Sequence, residues 1–284
     1  MYQGLVLSLL MGLSLPERPT VIWLQTDWAP HQIVEGPMRG QGTFDVLQQR
    51  VTALLPQYSH QDRLISLGRV EVFFQQPRET VCITGSLYTA ERASNRYYSL
   101  PMAVGPGFSI NYVRGSRVAA YVNDSLQIDI EKLVQDAKLL GAYQPNRYYP
   151  QVMQPILANT ANHLIKTEFT SELNAAALLI SKRVDYVVEY PERMQFYQRE
   201  LQQTAEIESA ALQGASADSV SYITCNQTEL GKQIIADINQ VLPQIWLAPD
   251  FKDVLFYWLD DNAKQVLSAK FSEIQQQMAE KNRP

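Results

Sequence analysis

Histidine and cysteine are scarce in this chain. Its 284 residues include three histidines, His31, His60 and His163, and two cysteines, Cys82 and Cys225. No two histidines have the H-x-x-x-H spacing that sets two imidazoles on one helix face, and two cysteines without a histidine cluster do not make a zinc site. Neither a G-x-S-x-G nucleophile turn nor a phosphate-cradling G-x-x-x-x-G-K loop is present. Basic excess is missing as well. The net charge is −5 and the pI near 5.3, which argues against a nucleic-acid partner, since that calls for a basic stripe. No long block of like charge implies a tail, and no repeat or low-complexity tract is evident. After the N-terminal stretch, no segment is long and apolar enough to span a bilayer. No cofactor and no catalytic motif are expected.

The composition that remains is that of a globular protein, 46% hydrophobic and 19% charged, with length enough for two lobes and a sizeable core. Fifteen tyrosines and four tryptophans supply aromatic contact surface, most of it core or half-buried strand. The opening MYQGLVLSLLMGLSLPERPT carries an apolar run from Leu5 to Leu15, the length of a signal-peptide core. No Lys or Arg precedes it and no small-x-small cleavage site follows. Export is expected, with residues 1–19 set apart from the fold. The cysteines lie on the apolar runs Val81-Cys82-Ile83 and Tyr222-Ile223-Thr224-Cys225. An even count in an exported chain permits one disulfide; two buried thiols in separate strands are the alternative.

The most telling stretch is TVIWLQTDWAPHQIVEGPMRGQGTFDVLQQRV, Thr20 to Val51. Val21–Leu24 reads as a buried strand. It stops at Pro30, which cannot continue a ladder. From Thr43 the apolar residues fall at helical spacing, at Phe44, Leu47 and Val51. Asp27 and Trp28 thus stand at the carboxyl end of the first strand, the edge where open α/β sheets bind ligands. Further on, Val81-Cys82-Ile83 reads as a strand, and Thr89-Ala90-Glu91-Arg92 has the capping residue and first-turn acid of a helix start. Tyr97–Met102 reads as an extended crossing and Phe108–Val113 as an extended run. A helix is expected over about Ser125 to Leu140, where Leu126, Ile130, Leu133, Val134 and Ala137 fall at helical spacing, then a tyrosine-rich loop from Tyr143 to Tyr149. A second helix is expected over Ser171–Ser181 with Ser171 as its cap and Leu173, Ala176, Ala177 and Ile180 on one face. A buried strand then ends at Pro191. Gln213–Ser219 reads as a linker, Val220–Cys225 as a strand, Thr228 as the cap of a helix, and Asp250 to Lys281 as terminal helices. The alternation argues α/β layering.

The order of these parts resembles type II periplasmic solute-binding proteins, particularly the polar amino-acid-binding group, extracellular solute-binding family 3. The resemblance covers most of Thr20 to Leu242. Its marks are Asp27-Trp28-Ala29-Pro30-His31 with Gly42-Thr43-Phe44-Asp45, Ser86 to Arg92 followed by Tyr97-Tyr98-Ser99-Leu100-Pro101, and Arg183-Val184-Asp185-Tyr186-Val187-Val188-Glu189. It implies an α/β fold of two lobes, each a mixed sheet flanked by helices, joined by two hinge crossings. Lobe I would comprise 20–103 and 220–284, and lobe II 104–219. It also implies a monomer that closes around a small polar ligand, an amino acid or related carboxylate, and delivers it to an ABC importer in the periplasm. A sensing or interaction module without an importer, and a dehydratase or lyase on the same fold, are the rival readings.

Relatives hold the ligand α-carboxylate with the arginine that matches Arg92, whose planar fork grips a carboxylate bidentately. The alternative for Arg92 is a surface pair with Glu91 or another acid. Ser86 is either a second donor to that carboxylate or a turn serine. Trp28 is either an aromatic wall or core, Asp27 an ammonium partner or a turn cap, and His31 a ligand contact or a solvated loop residue. Asn123-Asp124-Ser125 stands at the expected helix start, where free amides attract an anion, yet the glycine of the family's Gly-Ser-Thr start is missing. Relatives pair the ligand amine with an aspartate at the position of Tyr190. Here the carboxylate is Glu189, one residue earlier, and strand alternation turns it to the other face.

Overall fold

The computed structural model describes residues 18–76, 78–169, 174–202 and 205–282. The apolar N-terminal run lies outside these residues, and so do Ser171 and Leu173 of the expected second helix. The strands in chain order are β1 (Thr20–Gln25), β2 (Ser59–Leu64), β3 (Val81–Leu87), β4 (Arg96–Pro106), β5 (Ser109–Val113) and β6 (Gln127–Ile128). They continue with β7 (Gly141–Tyr143), β8 (Leu164–Lys166), β9 (Tyr186–Glu189), β10 (Ile207–Leu212) and β11 (Asp218–Asn226).

Two mixed sheets result, one in the order β2-β1-β3-β11-β4 and the other β6-β10-β5-β9-β7-β8. In the first, β1 runs parallel to β2 and β3, while β11 runs antiparallel to β3 and β4. Alternation along β1 decides which face each residue serves. Val21 and Trp23 pack with Leu47 and Val51 of the helix Thr43–Ala53 and with Ile234 and Ile238 of the helix Glu229–Trp246. Ile22 and Leu24 pack on the opposite face with Val70 and Phe74. Each fully buried side chain of this kind stabilises the fold by about 1.5–3 kcal/mol. The helix Glu229–Trp246 starts where expected, with the Thr228 hydroxyl accepting from the Gly231 amide at 2.9 Å. Cys82 and Cys225 face each other across β3 and β11 and are joined at an S–S distance of 2.00 Å. His60 is part of this core edge: Trp23 Nε1 donates to its Nδ1 at 3.1 Å, and its Nε2 donates to the Leu55 carbonyl at 3.0 Å.

The second sheet is covered on both faces, by one cluster around Ile110, Leu133 and Tyr186 and another around Ala176, Leu179 and Val187. The helix expected over Ser125–Leu140 is shorter here, Ile130–Gln135. Leu126 takes a positive φ of 57° and is 65% exposed, so the apolar spacing that seemed to include it belongs to a turn. The Asn123 side chain holds that turn by accepting from the Ser125 and Gln127 amides, each at 3.0 Å. Asp129 is the true cap, accepting from the Glu131 amide at 3.1 Å. The helix Ala175–Ile180 is likewise capped by Asn174, which accepts from Ala177 at 2.9 Å.

The chain passes between the sheets twice, from β4 to β5 and from β10 to β11. The expected divisions at 103/104 and 219/220 fall inside β4 and β11, whose ends pair as Pro106 with Asp218. Gly107 donates to the Ala217 carbonyl at 2.9 Å, and a Cβ on it would stand 2.2 Å from the Ser216 carbonyl oxygen. Only glycine permits the two crossing strands to lie so close.

Candidate functional site

The carboxyl ends of β1 and β3 build one wall of a cleft. The loop after β1 turns back at once, with Trp28 bridged to Gln32 and a cis Ala29–Pro30 peptide between them. Gln32 fastens the loop to its neighbour strand by donating to Thr84 Oγ1 at 3.2 Å. Asp45, at the head of the next helix, accepts from the Ile33 and Gly42 amides at 2.9 and 3.0 Å. Burial pushes its carboxyl above the ordinary value, with those two amides pulling the other way. β3 ends in Gly85, Ser86 and Leu87. Gly85 has a φ of +79°, and a Cβ there would strike the Phe44 ring at 2.4 Å. Thr89 then caps the short helix Ala90–Ala93 by accepting from the Arg92 amide at 3.0 Å.

Between this wall and the second lobe lies a cavity of about 560 Å3. Thr84, Ser86, Glu71 and Arg92 line it from the first lobe; Arg147, Tyr190 and Glu192 line it from the second. Trp28 and His31 belong to its wall too, whereas Asp27, Ser125 and Glu189 do not. Such a volume is within the range of small-molecule sites.

Arg92 Nε stands 3.3 Å from Glu71 Oε1, so its acid partner is Glu71. The same carboxylate is gripped by Arg96, which is buried over the Phe74 ring. Arg92 itself is only partly buried. Ser86 shares a 2.7 Å hydrogen bond with Thr224 Oγ1. Ser125 lies in the Asn123 turn away from the cleft, so no helix start faces a ligand there. Asp27 stays off the wall, near enough to Tyr197 for its charge to oppose ionisation of that buried phenol.

Glu189 is part of a buried ion cluster. Arg147 donates to both its oxygens at 2.8 Å, the Tyr190 amide donates to Oε1 at 2.7 Å, and Arg193 Nε stands 3.3 Å from Oε2. Burial pushes the Glu189 carboxyl up, but Arg147 and Arg193 outweigh it and hold the group below its ordinary value. Arg147 also sits 4.3 Å from the centroid of Trp28, 4.9 Å from Phe108 and 5.2 Å from Tyr190. Tyr190 stacks on Phe108 with centroids 4.2 Å apart, and burial raises the pKa of its phenol. Trp28 belongs to the first lobe, so its indole is a cation–π platform for arginines of the second.

Further contacts cross the cleft. Arg193 Nη1 donates to the Ala29 carbonyl at 2.9 Å, and His31 Nε2 lies 3.2 Å from Glu192 Oε1. Gln195 donates to Asp260 at 2.9 Å, and Phe196 meets Trp258 edge-on at 5.0 Å. Arg147, Glu192 and Arg193 escaped the sequence reading. The signals available were an arginine inside the tyrosine-rich loop and charges directly after a Tyr-Pro strand end. Among the described residues, no group of three or more His, Cys, Asp or Glu is placed to hold a metal ion, and no helix is long and apolar enough to cross a membrane.

No family model and no curated protein matches the chain. Solved structures do resemble it. A histidine kinase sensor domain with similarity to periplasmic binding proteins aligns with a TM-score of 0.64 and 16% identity, over 86% of this chain and 96% of that one. An arginine transport-system periplasmic binding protein from Legionella pneumophila aligns at 0.60 and 13% identity, over 86% and 100%. An ancestral arginine-binding protein bound to arginine aligns at 0.64 and 17% identity, over 86% and 99%. The two mixed sheets, and the alignment with these structures over most of the chain, give it the fold of periplasmic binding proteins.

Proposed function

We propose that the chain is an exported solute-binding protein that closes its two lobes around a small polar ligand, an amino acid or related carboxylate, and presents it to an ABC importer. The observation that carries this reading is the inter-lobe cavity with the Arg92 guanidinium on its wall. Arg92 takes the ligand carboxylate, Ser86 adds a hydroxyl, and Trp28 and Tyr190 supply aromatic walls. Ligand binding is stoichiometric, by a monomer in the periplasm. The hinge is the paired ends of β4 and β11, dividing lobe I (20–103 and 220–284) from lobe II (104–219).

A thermal-shift screen of amino acids, small carboxylates, polyamines and short peptides tests it, with Arg92→Ala alongside. A ligand at a hundred times its Kd adds about 2.7 kcal/mol to a protein that binds only when folded. A shift for one carboxylate class, lost in Arg92→Ala, is the expected result. No shift with any compound would sink the reading. Conversion of a bound compound to product would favour the lyase alternative. A second reading, a ligand sensor without an importer, is favoured by the likeness to the kinase sensor domain. A binding-competent protein that restores no uptake in importer vesicles would favour it.

A further inference from the structure

The first lobe holds a second, smaller cavity of about 120 Å3, apart from the cleft. The helix Thr43–Ala53 contributes Asp45 and Gln48 to its wall, and β2 contributes Asp62. Asp45 and Gln48 are three residues apart and so share a helix face. Gln48 is 6% exposed, and its Nε2 donates to Asp62 Oδ1 at 2.6 Å. A carboxylate only accepts, so the amide cannot be turned round, and Gln48 Oε1 is left buried without a partner. Asp45 accepts the Ile33 and Gly42 amides on the same oxygen, Oδ2, which leaves Oδ1 to another partner. Burial pushes the Asp45 carboxyl up, and the charge of Asp62 adds to that push. Buried polar atoms are nearly always satisfied. Here an unpartnered amide oxygen and two carboxylates line one small cavity. Arg39, on the same wall, is exposed to solvent.

We propose that this cavity is a binding site for a hard divalent cation of the calcium class, held by Gln48 Oε1 and the carboxylates of Asp45 and Asp62. Such an ion takes oxygen ligands, amide oxygens as well as carboxylates, and completes its shell with water. The cavity has room for an ion with a few waters. Two acids and an amide carry little ligand charge, which matches the weaker class of site, with a Kd of about 10⁻⁴–10⁻³ M. The ion ties the helix Thr43–Ala53 to β2, and through Asp45 it braces the loop that follows β1. None of the residues lining this cavity lines the inter-lobe cavity, so the site stands whatever solute the cleft takes.

The test is calorimetric titration of the full chain, stripped with a chelator, with calcium chloride, and with sodium chloride at matched ionic strength as the control. One calcium per chain is the expected result, with no binding of sodium. Asp62→Asn keeps the acceptor for Gln48 and removes one charge; it weakens calcium binding about tenfold or more. Gln48→Glu supplies a third carboxylate and tightens binding by about as much. It also melts below the wild type in chelator, where three carboxylates repel, and regains that loss when calcium is added. A protein in which the glutamine is merely structural would lose stability in this variant and not recover it, and that result overturns the site. Absence of calcium binding to the wild type at about 10 mM, ten times the weakest Kd expected, overturns it as well. So does calcium binding that neither variant changes, because the ion is then held elsewhere.

Discussion

The two walls of the cleft carry similar charges in opposite circumstances. On the first lobe, Arg92 and Glu71 form a pair in which Arg92 is 23% and Glu71 43% exposed. On the second, Arg147, Glu189 and Arg193 are all at most 4% exposed, and the two arginines share the one carboxylate. Charge in water is cheap to leave loosely paired, whereas charge in a core must be fully paired or be very costly. The wall that looks electrostatically richer is therefore the structural one. On the wall that looks ordinary, the Arg92 guanidinium stays partly exposed at the edge of the cavity. The lobes also differ in how they are braced: the first sheet is stapled by Cys82–Cys225, and the second has the buried ion cluster at the end of its central strand β9.

The largest effect falls on the second lobe. Glu189→Gln leaves two buried arginines without their counter-charge, and breaking such a pair costs about 3–5 kcal/mol. Urea denaturation reads this directly. The same variant changes the pH profile, and the sign follows from the held-down carboxyl. The folded group titrates below its ordinary value of 4.5, so in acid the unfolded chain binds the extra proton. The contribution of Glu189 is complete above that value and is lost as pH falls through the folded one. The wild type loses stability steeply below about pH 4.5, and Glu189→Gln flattens that limb. An unchanged acid limb would mean that the cluster is not a structural unit.

Next in size is the staple of the first lobe. The bridge spans 143 residues of sequence, and replacing both cysteines by alanine should cost about 2–4 kcal/mol by releasing the unfolded chain. The cost should appear in unfolding experiments and leave the acid limb of the second lobe intact. A change in that limb would mean that the two lobes do not hold their stability separately.

Local patterns carried most of the architecture. The apolar run Val21 to Leu24, the Thr89 and Thr228 caps and the Pro30 stop are each written within a few residues, and the structure builds strands, helices and a turn there. The helix over Ser125–Leu140 was overread because Leu126 matches helical spacing by chance while the Asn123 side chain claims the amides of a turn. The site was less legible. Arg147 and Glu189 are 42 residues apart and His31 and Glu192 are 161 apart, and no periodicity links residues so distant. Glu189 could be located from the family pattern, but the arginines that consume its charge could not. Arg92 was legible because its capped turn is local.

Arg92→Ala should have the smallest effect on stability and therefore sharpens the comparison most. Its pair with Glu71 is partly exposed and screened by solvent, and such pairs are worth about 0–1 kcal/mol. Glu71 also keeps Arg96 as a partner when Arg92 is gone, so no buried charge is stranded. Urea denaturation without ligand should place the variant within about 1 kcal/mol of the wild type, although its ligand-induced shift is lost. That split separates the two kinds of arginine in this cleft. Arg147 and Arg193 complete a buried set that the fold requires, and Arg92 is a charge the fold tolerates. A loss approaching that of Glu189→Gln would place Arg92 among the structural charges and remove the main support for a carboxylate at this wall.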